Sequence, residues 1–421
     1  MPGPPIGVVD VATKERWPVW AMLAALTSTF ALSQAFRTLP AIVAGRMAGE
    51  FGASPQAIGI FAAAFAIAFG TMQLFVGVGL DRFGPKRTLC VLFPFAIMGC
   101  AVSAVAPTFG VLIAGQILIG IASAPAYLST LIFIVKRYPA SRFAALSGLT
   151  MSLGGVGMLI TSTPLAWVVQ TLGWRSAFVV LGLLSVVSFA ACLTLLRDRE
   201  QDRTSSESFI DAMRGIGPIF RMPQTAGILC LGGTFYGVFL AVRTPWIVPL
   251  FETRYGFSLV DAGNVILMFS LAMVFSPLVF GRLDPGGRGR RKLIIALTYV
   301  MTALVAALGL GGKAGPLPDL LLALCIAAVS GVAMLEYPDA RSSYPAAVVG
   351  RAIALLNMSM FFGVAIVQWL AGVVASLAVA HGAEPIGPIF FSLAALLAVA
   401  TTAYWVLPWP AAFDSDESAR R

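Results

Sequence analysis

Two arginines stand where the surrounding residues leave little room for charge. Arg37 falls inside the apolar run 18–44 and Arg243 inside the run 224–250. An arginine at the centre of a membrane helix costs about 2.5–3.5 kcal/mol on insertion scales, so two of them need a reason. A guanidinium presents its donors as a rigid fork that matches a carboxylate or a phosphate, and the chemistry open to such a pair is anion binding. At helical spacing Phe30, Gln34 and Arg37 share one face, as do Tyr236, Leu240 and Arg243. Both arginines sit past the midpoint of their runs. A long side chain can also snorkel from that depth to the interface, and this second reading stays open. Tyr127, Asn264 and Asn357, with Gln34 and Tyr236, are the polar residues within apolar runs that could complete a substrate site. Gln73, Gln116, Trp246 and Gln368 are further candidates, although such residues also serve as glue between helices.

The elements that must carry these residues follow from composition. Among 421 residues, 58% are hydrophobic and 11% charged, and the mean hydropathy is +0.89. Soluble domains carry about 25% charged residues. Disordered, collagen-like and disulfide-stapled classes fail on the same figures. A crossing helix needs about 20 apolar residues. Read with Pro, Gly and charge as punctuation, the chain gives twelve runs: 18–44, 55–80, 88–106, 110–135, 142–170 and 175–196, then 224–250, 259–281, 293–311, 319–337, 346–379 and 387–407. The fold class expected is an all-α membrane protein of twelve transmembrane helices in two pseudo-symmetric six-helix bundles. The bundles are 1–196 and 224–421, joined by a polar cytoplasmic linker, 197–223.

The net charge of +9 reads as topology rather than as a nucleic-acid surface. With the N-terminus inside, most of the 28 Lys and Arg fall on the cytoplasmic side, and the opposite loops hold only Arg46, Arg175, Arg254 and Lys313. Both termini are therefore expected in the cytoplasm, in a bacterial inner membrane. Residues 1–20 lack the features of a cleaved signal peptide. The five cysteines are scattered, form no metal-type pair and read as small buried hydrophobes.

The two halves also repeat each other. Ala35-Phe36-Arg37-Thr38 answers Ala241-Val242-Arg243-Thr244, and Phe51-Gly52-Ala53-Ser54 answers Tyr255-Gly256-Phe257-Ser258. Gly77 and Asp81 answer Gly281 and Asp284, and Tyr138-Pro139 answers Tyr344-Pro345. Six-helix repeats of like orientation place a binding site between them, near mid-membrane.

Gly77-Val78-Gly79-Leu80-Asp81-Arg82-Phe83-Gly84-Pro85-Lys86-Arg87 resembles the cytoplasmic loop motif of the major facilitator superfamily of secondary transporters, G-x-x-x-D-R/K-x-G with basic residues following. The resemblance implies a conformational role for Gly77, Asp81, Arg82 and Gly84, with Asp81 at a helix N-terminus favouring one docked arrangement of the halves. Asp284 belongs to the degenerate second copy. Pro85 stands where a basic residue is usual, and Gln116 stands where many members carry an arginine linked to proton coupling. The paired arginines resemble those of the organophosphate/phosphate antiporters, which implies that Arg37 and Arg243 converge on one anion.

The function expected is secondary active transport of a small organic anion, a carboxylate or a phosphate ester, by alternating access. Arg37 and Arg243 would bind the anion. An exporter of drugs or other amphipathic compounds with the same fold is the alternative. No H-E-x-x-H, G-x-S-x-G or comparable catalytic pattern is present, and no enzyme activity, cofactor or metal is expected. The expected partners are the substrate, the bilayer and a coupling ion or counter-anion of unassigned kind, with a monomeric chain and no nucleic acid. No carboxylate lies clearly within a run. Glu336, near the cytoplasmic end of the tenth, reads as a solvated helix end, and a dedicated proton relay is therefore not expected.

Overall fold

The computed structural model describes residues 18–197, 217–312, 315–345 and 348–408. Most of the expected linker lies outside them. The described residues contain helices and no strand. Twelve segments are long and apolar enough to cross a membrane. In the first half these are α1 (Val19–Phe51), α2 (Pro55–Gln73), α3 (Arg82–Ala104), α4 (Phe109–Arg137), α5 (Ala145–Leu172) and α6 (Arg175–Leu195). In the second half they are α7 (Pro223–Tyr255), α8 (Leu259–Pro277), α9 (Gly287–Leu310), α10 (Pro316–Ser343), α11 (Val349–Ala380) and α12 (Ile386–Val406). Helices are the solution a bilayer enforces, because every backbone group must find its partner within the segment.

The repeat seen in the sequence is a repeat of backbone geometry. α1 ends at Gly52 (φ 59°) and α7 at Gly256 (φ 67°), left-handed positions that glycine adopts without steric cost. Ser54 then caps α2 by accepting from the Ala57 amide, and Ser258 caps α8 by accepting from the Asp261 amide. Tyr/Phe-Gly-x-Ser is thus a stop and a restart in four residues.

Three expectations need correction. α1 continues to Phe51 and α7 to Tyr255, so Arg46 and Arg254 lie on helical extensions rather than in loops. A hydropathy count stops at the first polar residues, whereas the helix runs on until glycine ends it. Cys100 and Cys192 are buried, but Cys230 and Cys325 are exposed on the apolar outer surface. Glu336 is 4% exposed and is not a solvated helix end.

Within each half the packing is equivalent. α1 packs on α5 and α6, α2 on α4, and α3 on α4 and α6; α7 packs on α11 and α12, and α9 on α10 and α12. The halves meet along α2 with α11 and α5 with α8. Glycines set the α2–α11 distance: a Cβ on Gly59 would lie 2.5 Å from the Gln368 carbonyl oxygen, and one on Gly372 would lie 2.8 Å from that of Pro55. Such small-residue contacts are how membrane helices approach closely. The span-5 glycines work in the same way within the first half, since a Cβ on Gly154 or Gly157 would run into Phe30 or the Ala31 backbone of α1.

Polar contacts between the halves gather at the membrane face opposite the chain ends. The Gln56 amide donates to Ser376 Oγ (2.9 Å), Thr163 Oγ1 to Asn264 Oδ1 (2.7 Å), and the Val260 amide to Gln170 Oε1 (3.3 Å). Arg46 and Glu252 pair at 3.9 Å on the same face. The halves are sealed there down to the level of Phe69 and Phe361, whose ring centroids lie 4.2 Å apart.

Candidate functional site

Helices bearing the site are interrupted at it. α7 loses its regular geometry over Val242–Trp246, with Thr244 extended (φ −152°, ψ 111°) ahead of Pro245. Arg243 sits inside this break. The carbonyl of Thr244, released from the helical ladder, accepts from Gln368 Nε2 of α11 at 2.9 Å. In the first half, Gln73 Nε2 of α2 donates to the Ala124 carbonyl where α4 breaks at Pro125 (3.3 Å). In each half, therefore, a glutamine from a neighbouring helix donates to the carbonyl of the residue just before a proline at the break. Broken helices with backbone exposed to a cavity are the usual frame of a binding site in transporter folds.

Arg243 is 1% exposed. Its Nη2 donates to Ser270 Oγ of α8 at 2.8 Å, and its Nε has no hydrogen-bond partner. Arg37 lies on α1 with its guanidinium carbon 4.4 Å from the Phe69 ring centroid and 4.9 Å from that of Phe361. Its Nε is likewise buried and unpartnered. Arg243 is enclosed by protein and bonded to Ser270, and Arg37 lies against two rings rather than extending free along its helix. Among the described residues neither arginine has a carboxylate partner. A buried cation and a half-buried one without counter-charge are costly unless something else supplies the negative charge.

Tyr236 is the group that the two arginines share, lying within electrostatic reach of both. Its ring meets Phe361 edge-on at 5.8 Å. Tyr337 of α10 also lies near Arg37 and donates to Asn357 Oδ1 of α11 at 3.1 Å. The structure thus brings Arg37, Arg243, Tyr236 and, through Tyr337, Asn357 into one region that joins α1, α7, α10 and α11. Gln34 is buried on α1 one turn before Arg37. Tyr127 stacks on Phe30 at 4.7 Å, with its ring on the first-half side of this region. Asn264 stands apart, exposed in the first turns of α8 and bonded to Thr163 across the sealed face.

Sequence reasoning missed Phe69, Phe361, Tyr337 and Ser270. Tyr337 carried a signal, since it stands beside Glu336, the acidic residue at the far end of the tenth run. The phenylalanines carried none, being two among 29.

The loop motif is organised by a break rather than by a loop. Helix runs from Pro55 to Leu92 across Gly84, whose φ of 80° and ψ of 170° turn the chain before Pro85. Gly77 lies within the helix ahead of the break, with open space where a Cβ would stand. Arg82 is exposed and lies 5.5 Å from the Phe83 ring centroid. Asp81 is in the last helical turn before the break, not at the start of a helix, and its side chain lies outside the described residues. Asp284 accepts a bidentate pair from Arg290 (Nε to Oδ1 and Nη2 to Oδ2, each 2.7 Å) and the Gly286 amide at 2.9 Å. These bonds, with Arg290 foremost, hold its carboxyl below the ordinary aspartate range. Among the described residues no group of His, Cys, Asp and Glu could hold a metal ion.

The sequence model described as Major Facilitator Superfamily matches residues 21–367. The hexuronate transporter of Escherichia coli (strain K12) is 26% identical, covering 92% of this chain and 93% of its own. The galacturonate transporter of Dickeya chrysanthemi is 25% identical over 62% of this chain and 78% of its own. Among solved structures, a D-xylose-proton symporter superposes with a TM-score of 0.75 at 17% identity, covering 94% of this chain and 99% of that one.

Proposed function

The chain belongs to the Major Facilitator Superfamily, as a multi-pass membrane transporter and not an enzyme, and from that premise we propose that it carries a sugar acid across the membrane by alternating access. The carboxylate is bound by Arg37 and Arg243. The observation that carries this reading is the pair of guanidiniums, Arg243 buried and Arg37 half-buried, one from each half, that share Tyr236 and have no carboxylate partner among the described residues. A carboxylate bridging them satisfies the orphaned Nε of each, and it ties the halves together at the level where they meet. The tyrosine hydroxyls and the Asn357 amide suit the hydroxyl groups of a sugar backbone. The named relatives, carriers of hexuronate and galacturonate, support that substrate class. The cell location that accords with the positive charges is a bacterial inner membrane with both termini in the cytoplasm.

The break at Gly84 and the Asp284–Arg290 pair mark the cytoplasmic ends of the helices that move.

The test is exchange of radiolabelled D-galacturonate in proteoliposomes containing the purified chain. Arg37→Ala and Arg243→Ala should each abolish saturable exchange. Full exchange in both variants would overturn the two-arginine site.

A further inference from the structure

The break in α7 lies where the two halves meet. All five of its residues, Val242–Trp246, are buried. α1 and α2 of the first half pack on it, beside α11 of its own half. Gln368 of α11 stands at this junction. Its side chain is buried and donates through Nε2 to the Thr244 carbonyl at 2.9 Å. Its backbone carbonyl faces α2, where a Cβ on Gly59 would stand 2.5 Å from the oxygen. One turn on, Gly372 lies against the Pro55 carbonyl, and beyond it the Gln56 amide donates to Ser376 Oγ at 2.9 Å. A single residue of the second half therefore touches the break with its side chain and the first half with its backbone.

The extended backbone of Thr244 takes its carbonyl out of the helical ladder, one residue from Arg243. A buried carbonyl needs a donor, and Gln368 is the donor that the fold supplies. The Arg243 guanidinium has one hydrogen bond of its own, to Ser270. The rest of its placement comes from the backbone of the break, because a shift of the peptide between residues 243 and 244 moves the point from which the side chain hangs. Thr244 Oγ1, Trp246 Nε1 and Gln368 Oε1 are also buried at the break and find no partner among the protein's own groups. An amide–carbonyl bond is strong in an enclosed site and contributes far less where water competes for both groups. The Gln368–Thr244 bond is thus strongest while α1 and α2 cover it. Once the halves part at this face, water reaches the break, those three polar atoms gain partners, and the Thr244 carbonyl no longer depends on Gln368.

We propose that Gln368 is a positioning residue for Arg243, fixing the guanidinium at the anion only while the two halves are closed over the α7 break. With that face closed, the Gln368 amide holds the break in one shape and Arg243 is aimed at its ligand. With the face open, the break is hydrated and loosens, Arg243 loses its fixed place, and the anion is free to enter or leave. Closure and tight binding are then one event, set by a side chain that does not touch the anion. The inference rests on the anion-binding reading of Arg243 above and names what positions that residue.

The experiment uses the full chain purified in detergent, with D-galacturonate as probe. Gln368→Met keeps the length of the side chain and removes its donor. Gly59→Ala wedges α2 from α11 and leaves Gln368 intact. Hydrogen–deuterium exchange read by mass spectrometry should rise about two- to tenfold at residues 242–247 in both variants, the range of one neutral hydrogen bond, and Gln368→Met should leave the remainder of α7 unchanged. Calorimetry should show galacturonate binding weakened about two- to tenfold in Gln368→Met. Added to Arg243→Lys, the same substitution should cost less than about twofold; added to Arg37→Lys it should cost as much as in the wild type, because Arg37 does not hang from the break. Equal losses in the two arginine backgrounds would overturn the proposal, as would exchange at 242–247 indifferent to Gln368→Met. If Gln368→Met does not fold, raised exchange at the break in Gly59→Ala supports the proposal and unchanged exchange overturns it. A wild type that binds no galacturonate while Gln368 still governs exchange at the break supports the hold on Arg243 and defeats the sugar-acid reading. Binding by the wild type that Gln368→Met leaves unchanged does the reverse.

Discussion

The guanidinium carbon of Arg37 lies against both Phe69 of α2 and Phe361 of α11, at 4.4 Å and 4.9 Å from the two ring centroids. One ring comes from each half of the molecule, and the rings touch each other. The cation therefore sits at the seam, beside both rings at once. Cation–π contacts are worth about 0.5–2 kcal/mol, more when desolvated. Phe361→Leu should accordingly weaken galacturonate binding by about two- to thirty-fold at 1.4 kcal/mol per factor of ten. The loss should appear in the dissociation constant from calorimetry, with the protein still monodisperse. An unchanged constant would mean that the rings merely fill space.

Lysine cannot replace either arginine if the anion is gripped by a fork. A hydrogen bond to a charged group contributes about 1.5–3 kcal/mol. Arg243→Lys should lose about one such bond, a drop of roughly ten- to a hundredfold in affinity. The Ser270 contact gives a control, because Ser270→Ala removes a hydroxyl that only holds Arg243 in place. It should cost less than Arg243→Lys, and the reverse order in binding titrations would assign the anion contact elsewhere.

The seal at the face opposite the termini has two components of unequal weight. The Arg46–Glu252 pair spans 3.9 Å with the side chains 53% and 28% exposed, and exposed pairs contribute about 0–1 kcal/mol. Gly59 meets backbone, and an alanine there would force the Gln368 carbonyl away from α2. Glu252→Gln should therefore leave the conformational balance nearly unchanged, whereas Gly59→Ala should shift it toward opening at this face. Spin labels placed on α2 and α11 near Gln56 and Ser376 would report the distance. A larger shift from Glu252→Gln than from Gly59→Ala would reverse the assignment.

Asp284 gives a prediction in pH. Arg290 and the Gly286 amide lower its carboxyl below the ordinary 3.8, so the folded protein favours the ionised form. A depressed folded value contributes stability above the unfolded value, and that stability is lost as pH falls through the folded one. The window is thus below about pH 4. Asp284→Asn should lower the melting temperature at neutral pH and flatten its decline below that point. A decline equally steep in both proteins would show that other carboxylates govern acid stability.

The sequence by itself determined a good deal. Too little charge and too many long apolar runs leave only a polytopic helical fold, because lipid offers backbone groups no partner. The paired Phe/Tyr-Gly-x-Ser stops and the matched arginines made the repeat legible, since capping and the cost of intramembrane charge are local physics. Family membership followed from the same residues. What only the tertiary structure decided are properties of neighbours distant along the chain. Phe69 and Phe361 are ordinary lipid-compatible residues until α2 and α11 cross at Arg37. Glu336 looks like a wet helix end until α7 and α11 close over it, while Asp339, three residues away, is matched by Tyr404 from the last helix. Apolar periodicity says which residues leave water. Which buried charge finds a partner, and which is left without one, depends on where the other helices pass, and that is fixed only when the two halves are packed.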